Sequence, residues 1–186
     1  IDLMGVLLDQ AIGESLSEQQ ALLAKLLTLP VEADLFERER PVDVVGLLAA
    51  RNSLDDEIAQ VHGDKWLELY VRLGAQTPYS PDAASIAHRS LRNRALFGVA
   101  QAAAADAKPE ALLRAQFEQA DNLTDRRAVL AVLLNVDGFS PVFTQQLLDT
   151  FYADWKNEAL VVDAWISLQA GSQLEGALAR VTQIEN

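Results

Sequence analysis

Two of the chain's three tryptophans fall between Phe151 and Ala170, in the company of Asp154, Glu158 and Asp163. Aromatic faces and carboxylates this close in sequence suit either a ligand cleft or the inner wall of a helix pair. Catalysis would need more. A zinc hydrolase of the HExxH type places two histidines one helical turn apart, so that both reach the metal, with a glutamate as base. The only histidines here are His62, followed by Gly63 and Asp64, and His88, followed by Arg89 and Ser90. Neither has a ligand at metal spacing, so both are expected to be surface or packing residues. With no cysteine, disulfides, thiolate zinc sites and thiol nucleophiles are excluded. A serine nucleophile would sit in a GxSxG elbow, and phosphate chemistry in a P-loop or GxGxxG turn; the sequence contains none of these. No catalytic, cofactor-binding or metal-ligating residue is assigned to this chain.

Three further clusters have structural explanations. Asp55, Asp56 and Glu57 follow Ser53 and read as the acidic first turn of a helix, favoured by the helix dipole. Asn122, Leu123 and Thr124 match a glycosylation sequon by chance spacing. Arg89, Arg92 and Arg94 stand out in an acidic chain; they are expected to form ion pairs with neighbouring helices, with an interface or anion contact as the functional reading.

Fifteen basic against twenty-seven acidic residues give a net charge of −12. A surface that negative repels phosphate backbones and anionic headgroups, so neither nucleic acid nor membrane is an expected partner. The sequence has no apolar run of membrane-spanning length and no basic-then-apolar leader, and the expected location is the cytoplasm.

Half the 186 residues are apolar and only 6% aromatic, with few Gly and Pro, a balance that favours helix. Alternating β-branched segments are missing, whereas helix starts recur. Ser15 and Ser17 precede Glu18 and Gln20 as capping boxes, a short helix follows Pro30, and Pro41 suits the first turn of the next. Ser53 is expected to cap a helix through Ile58, Val61, Leu69 and Leu73 to Gly74. Further helices are expected from Ser80, running to about Ala105, and from Pro109, Thr124 and Ser140. A break near Asn157 precedes another, and Ser172 with Glu175 opens the last. The result is ten or eleven short helices in one all-α domain spanning 1–186, with no linker long enough to divide it. Periodicity accommodates both an armadillo- or HEAT-like superhelical stack of paired antiparallel helices and a globular bundle.

On this frame Phe143, Leu147, Phe151 and Trp155 share one face at i+4 steps, and Val161, Trp165 and Leu168 share the facing stripe of the next helix. The rings are therefore expected to pack, with Asp154 and Asp163 off the stripes. Apolar stripes also run to both ends (Ile1, Met4, Leu8 and Ile12; Leu174, Leu178, Val181 and Ile184), which leads us to expect a piece cut from a longer chain.

Several segments in order carry a resemblance. Arg89, Ser90, Leu91, Arg92 and Asn93 are similar to an Arg-(Thr/Ser)-Leu-(Arg/Lys)-Asn element, and Ala120 to Asp125 to Ala-x-Asn-Met-Thr-Asp, with Leu123 in place of Met. Phe151, Tyr152, Trp155, Leu160, Val161, Asp163, Trp165, Gln169 and Ala170 follow at matching spacing, although Ala164 and Ile166 replace the usual Lys and Phe. Leu29 to Glu32 fit the opening. Together these resemble the C-terminal helical domain of bacterial aminopeptidase N, in the gluzincin zinc metallopeptidases, over residues 27 to 186. The resemblance implies that zinc, its ligands and the residues gripping the peptide's amino terminus lie in a separate catalytic domain of the same polypeptide. It implies a helical superhelix that caps this catalytic domain, encloses its chamber and limits the entry of peptides, and that is inactive alone. The alternative from the residues themselves is a free-standing helical-repeat scaffold for a protein partner.

Overall fold

A computed structural model describes residues 1–13, 19–38, 40–76, 78–104 and 107–184. The described residues form eleven α-helices and no strand, and the chain divides into two compact units.

The first unit comprises Ile1–Gly74 and Ser80–Ala102. It holds α1 (Asp2–Gly13), α2 (Gln20–Leu26), α3 (Glu32–Arg38), α4 (Val44–Val61), α5 (Gly63–Leu73) and α6 (Ala83–Ala102). Helix α6 is its hub, packing on α5, α2 and α4. Its buried side chains are mainly small or unbranched at Cβ (Ala87, Leu91, Ala95, Leu96, Ala100), so neighbouring backbones come close. Helix α5 supplies Trp66, Leu69 and Tyr70, at i, i+3 and i+4 on its buried face. It stops at Gly74, whose positive φ of 59° suits a residue without Cβ.

The second unit comprises Ala75–Tyr79 and the residues from Ala103 onward. Here α7 (Glu110–Gln119), α8 (Leu123–Asn135), α9 (Pro141–Trp155), α10 (Ala159–Ala170) and α11 (Ala177–Ile184) pack in succession, α7 on α8, α8 on α9, α9 on α10 and α10 on α11. Helix α8 also reaches α10. Contact with both the next helix and the one after it is how stacked helix pairs bury faces too small to hold alone. Phe117, Val129, Leu130, Phe143, Leu147, Leu148 and Phe151 form the core; complete burial of each large side chain contributes roughly 1.5–3 kcal/mol.

Several helix starts fall on residues other than those expected. The helix expected from Ser53 to Gly74 is two. Helix α4 begins at Val44, where the Asp43 carboxylate accepts the Gly46 N–H at 2.9 Å, and it carries Ser53 in its interior. The chain then breaks at His62 (φ −114°, ψ 22°) before α5. Pro41, after a cis peptide bond, precedes the helix rather than opening it. Asp82 takes the role given to Ser80, accepting the Ser85 N–H at 2.9 Å, while Asn122 takes that of Thr124, accepting the Asp125 N–H at 2.9 Å. Both winners are Asx residues placed three before the donor, the register a cap needs. Ser172 is buried, its hydroxyl donating to the Leu134 carbonyl, and α11 starts only after Gly176. Ser140 with Pro141 and Pro109 open their helices as expected. The capping boxes at Ser15 and Ser17, and Ala105, lie outside the described residues.

Candidate functional site

The two histidines are structural ligands of backbone. His62 Nε2 lies 3.1 Å from the Ile1 carbonyl, and its ring packs so closely on α1 that a Cβ on Gly5 would come within 2.8 Å. His88 is buried, with Nε2 2.8 Å from the Leu73 carbonyl. Among the described residues no group of three or more His, Asp or Glu is placed to hold a metal ion, and no helix is long and apolar enough to cross a membrane.

The arginine cluster lies on α6. Arg94 stacks on the Trp66 ring at 4.6 Å, donates from Nε to the Leu27 carbonyl at 2.8 Å and faces Asp55 at 3.4 Å. Burial pulls its guanidinium below the ordinary value; the Asp55 charge opposes that pull and Arg51 adds to it. Arg92 lies over Tyr70 at 4.6 Å and donates to its hydroxyl at 2.8 Å. Arg89 donates to the Ser80 carbonyl at 2.9 Å. The expected ion pair is seen at Arg94, while Arg92 and Arg89 also hydrogen-bond the Tyr70 hydroxyl and the Ser80 carbonyl. Asp55 sits in the interior of α4, not in a first turn, as the partner of Arg94. Beside it, Asp56 accepts from Gln101 at 2.8 Å.

Trp66 is fully buried, and Gly98 of α6 lies against its ring: a Cβ there would come within 2.6 Å of Trp66 Cγ. The sequence reading missed this pair. The available signal was a lone glycine inside a strongly helical segment, which commonly marks close packing.

In the second unit, the segment Phe151 to Ala170 is a helix pair. Phe143, Leu147 and Phe151 are buried, while Trp155 is only half-buried. Trp165 is 9% exposed, donates its indole N–H to the Leu148 carbonyl at 3.2 Å and sits 5.0 Å from the Tyr152 ring. Asp154 points away to Arg126, at 2.7 Å, and Asp163 is exposed. The carboxylates are thus off the stripes, as expected.

One feature of this segment was not anticipated. Tyr152, Trp165 and Ile166 wall a half-open cleft of about 430 Å³, closed from α11 by Arg180 and Ile184. Arg180 donates from Nη2 to the Ser172 hydroxyl at 2.8 Å, and its buried Nε has no hydrogen-bond partner. The lining thus combines apolar walls with amides and one cation.

Comparison with known proteins agrees with a repeat domain. The family described as "Domain of unknown function (DUF3458_C) ARM repeats" matches residues 3–186. Aminopeptidase N of Caulobacter vibrioides is 34% identical over 176 residues, covering 92% of this chain and 20% of that protein. Aminopeptidase N of Escherichia coli K12 is 30% identical over 180 residues, covering 95% and 19%. The chain thus spans about one fifth of the length of these relatives. A crystal structure of Legionella pneumophila aminopeptidase A in complex with aspartic acid superposes with a TM-score of 0.77, at 21% identity over 96% of this chain and 21% of that one. At that identity it speaks for the fold.

Proposed function

The chain belongs to the DUF3458_C family of ARM repeats, and we propose that it serves as the non-catalytic wall of a zinc aminopeptidase, closing the chamber of a catalytic domain in the same polypeptide and limiting which peptides enter. The observation that carries this reading is the match of nearly the whole chain to about a fifth of two aminopeptidases N. It is supported by a fold whose polar clusters are spent on packing. The Arg94 guanidinium, the His62 and His88 rings and Asp55 all bond to protein atoms of their own unit. Zinc belongs in this reading to the catalytic domain, where it would polarise the scissile carbonyl and activate water.

The chain's role is then steric and electrostatic. A helical wall would exclude folded substrates by size, and its acidity favours cationic amino termini at the chamber. The test uses the full-length gene product, with hydrolysis of alanyl p-nitroanilide compared with trimming of a folded protein that bears an N-terminal alanine. Deleting this domain should raise activity on the folded protein relative to the anilide. Unchanged discrimination after deletion, with the anilide still cleaved, would contradict the gating role.

A further inference from the structure

The cleft between α9, α10 and α11 has properties that packing alone does not require. In a chain of net charge −12, Arg180 has no carboxylate within ion-pair distance among the described residues. Of its five donors, the hydroxyl of Ser172 takes one, and Nε is buried with none. The neighbouring lining is Tyr152 and Trp165, whose rings make a tilted pair, with Val162, Ile166 and Ile184 as aliphatic walls and Gln169 and Gln183 as amides. Tyr152 is 42% exposed although it stacks on a buried tryptophan, so one ring face is left open. The volume, about 430 Å³, falls in the range of small-ligand sites (roughly 300–1,000 Å³).

The geometry points to a binding site for the free C-terminal residue of a peptide, its α-carboxylate on Arg180 and its apolar side chain against Tyr152 and Ile166. Arginine presents a planar fork that matches a carboxylate, and such charge-assisted pairs are roughly twice as strong as neutral hydrogen bonds. A phosphate or nucleotide fits less well, because a single guanidinium among apolar walls and amides balances one negative charge and not two or more. A terminal carboxylate with an aliphatic or aromatic side chain supplies one charge and one apolar body, which is what the cleft offers. Gln169 is 3% exposed and donates from Nε2 to the Trp165 carbonyl at 3.4 Å; this fixes its amide at the cleft floor. The site stands independently of any chamber role.

The experiment titrates the 186-residue chain with acetyl-Ala-Ala-Leu and, in parallel, with its C-terminal amide, following indole N–H resonances by NMR. The acid should shift the Trp165 signal saturably, with low-millimolar or tighter affinity, and leave Trp66 unmoved. The amide, and the acid against Arg180→Gln, should bind about tenfold more weakly or worse, as expected for loss of a charge-assisted pair. N-acetyl-leucine should bind more weakly than the tripeptide acid; equal affinity would mean a small-acid site and overturn the peptide assignment. Equal shifts from acid and amide, equal movement of Trp66, or no saturable shift would overturn the site. A Trp165 shift produced by protein concentration alone would also do so, showing a second copy as the occupant. Should Arg180→Gln fail to fold, the acid–amide comparison on the unaltered chain decides.

Discussion

Each unit contains a tryptophan and an arginine near one another, and the two arrangements differ in what remains free. Trp66 is fully buried under Arg94, which is itself closed by Asp55 and the Leu27 carbonyl. Trp165 is nearly as buried, yet its neighbour Tyr152 opens to a cleft, and Arg180 has a hydroxyl for a partner where Arg94 has a carboxylate. Aromatic and basic residues become a structural clamp when a carboxylate and a close backbone complete them. They remain available for a ligand when neither is supplied. Residue type is shared; closure separates them.

Breaking the clamp should give the largest effect. Trp66→Ala should cost about 4–5 kcal/mol, the upper end for a buried aromatic, because the cavity would open where α5 meets the hub helix. Trp165→Ala should cost about 3 kcal/mol, since the truncation can be relieved partly through the open cleft; chemical denaturation of both variants checks the order. A reversed order would break the comparison.

Gly98→Ala tests the same clamp by overfilling it, because the new methyl meets the Trp66 ring. A loss of about 2–3 kcal/mol is expected, against the gain that Gly→Ala commonly brings in a free helix. Asp55→Asn leaves Arg94 buried without its counter-charge and should cost about 2 kcal/mol. That is below the 3–5 typical of a severed buried pair, because the Leu27 carbonyl and the Trp66 ring still hold the guanidinium. Asp154→Asn removes a more exposed partner of Arg126 and should change stability by less than about 1 kcal/mol. Equal effects at Asp55 and Asp154 would remove the distinction between a closed and an open cation.

The smallest effect concerns pH. The Ser80 hydroxyl, followed by the Ser85 N–H and hydroxyl, holds the Asp82 carboxyl well below the usual carboxylate range. A folded pKa below the unfolded one means that this cap contributes fully above the unfolded value. Its contribution is lost only as pH falls through the lower folded value. Carbon-detected NMR of Asp82 should therefore show no titration in the ordinary carboxylate range; a midpoint near 4 would contradict the capping geometry.

Helix content and the core of the second unit were legible because burial imposes a 3.6-residue period. Phe143, Leu147 and Phe151 could be read directly, as could the turn at Asn157 and the ordered motifs of the family. Caps were less legible. Asp43, Asp82 and Asn122 lie within three residues of prolines, serines or threonines that satisfy the same local rules, and only the backbone decides which oxygen reaches the N–H. The break at His62 was hidden for a different reason: apolar residues continue across it, from Ile58 to Leu69, while the backbone leaves helical geometry at His62. The Trp66–Gly98 clamp and the Arg180 cleft join residues 32 and 15 or more positions apart, at distances that no local pattern encodes. Trp66 and Gly98 carry opposite signals, one large and one absent side chain, and their complementarity is visible only once α5 lies on α6.

We propose that this ARM-repeat chain contributes shape and contacts to an aminopeptidase but none of its chemistry. The direct test is to purify the chain, measure its bound zinc after exposure to one equivalent of the metal, and assay it on alanyl p-nitroanilide with and without added zinc. The account predicts sub-stoichiometric zinc and no release of p-nitroaniline under either condition. Zinc-dependent turnover that disappears with a chelator and returns with the metal would contradict it.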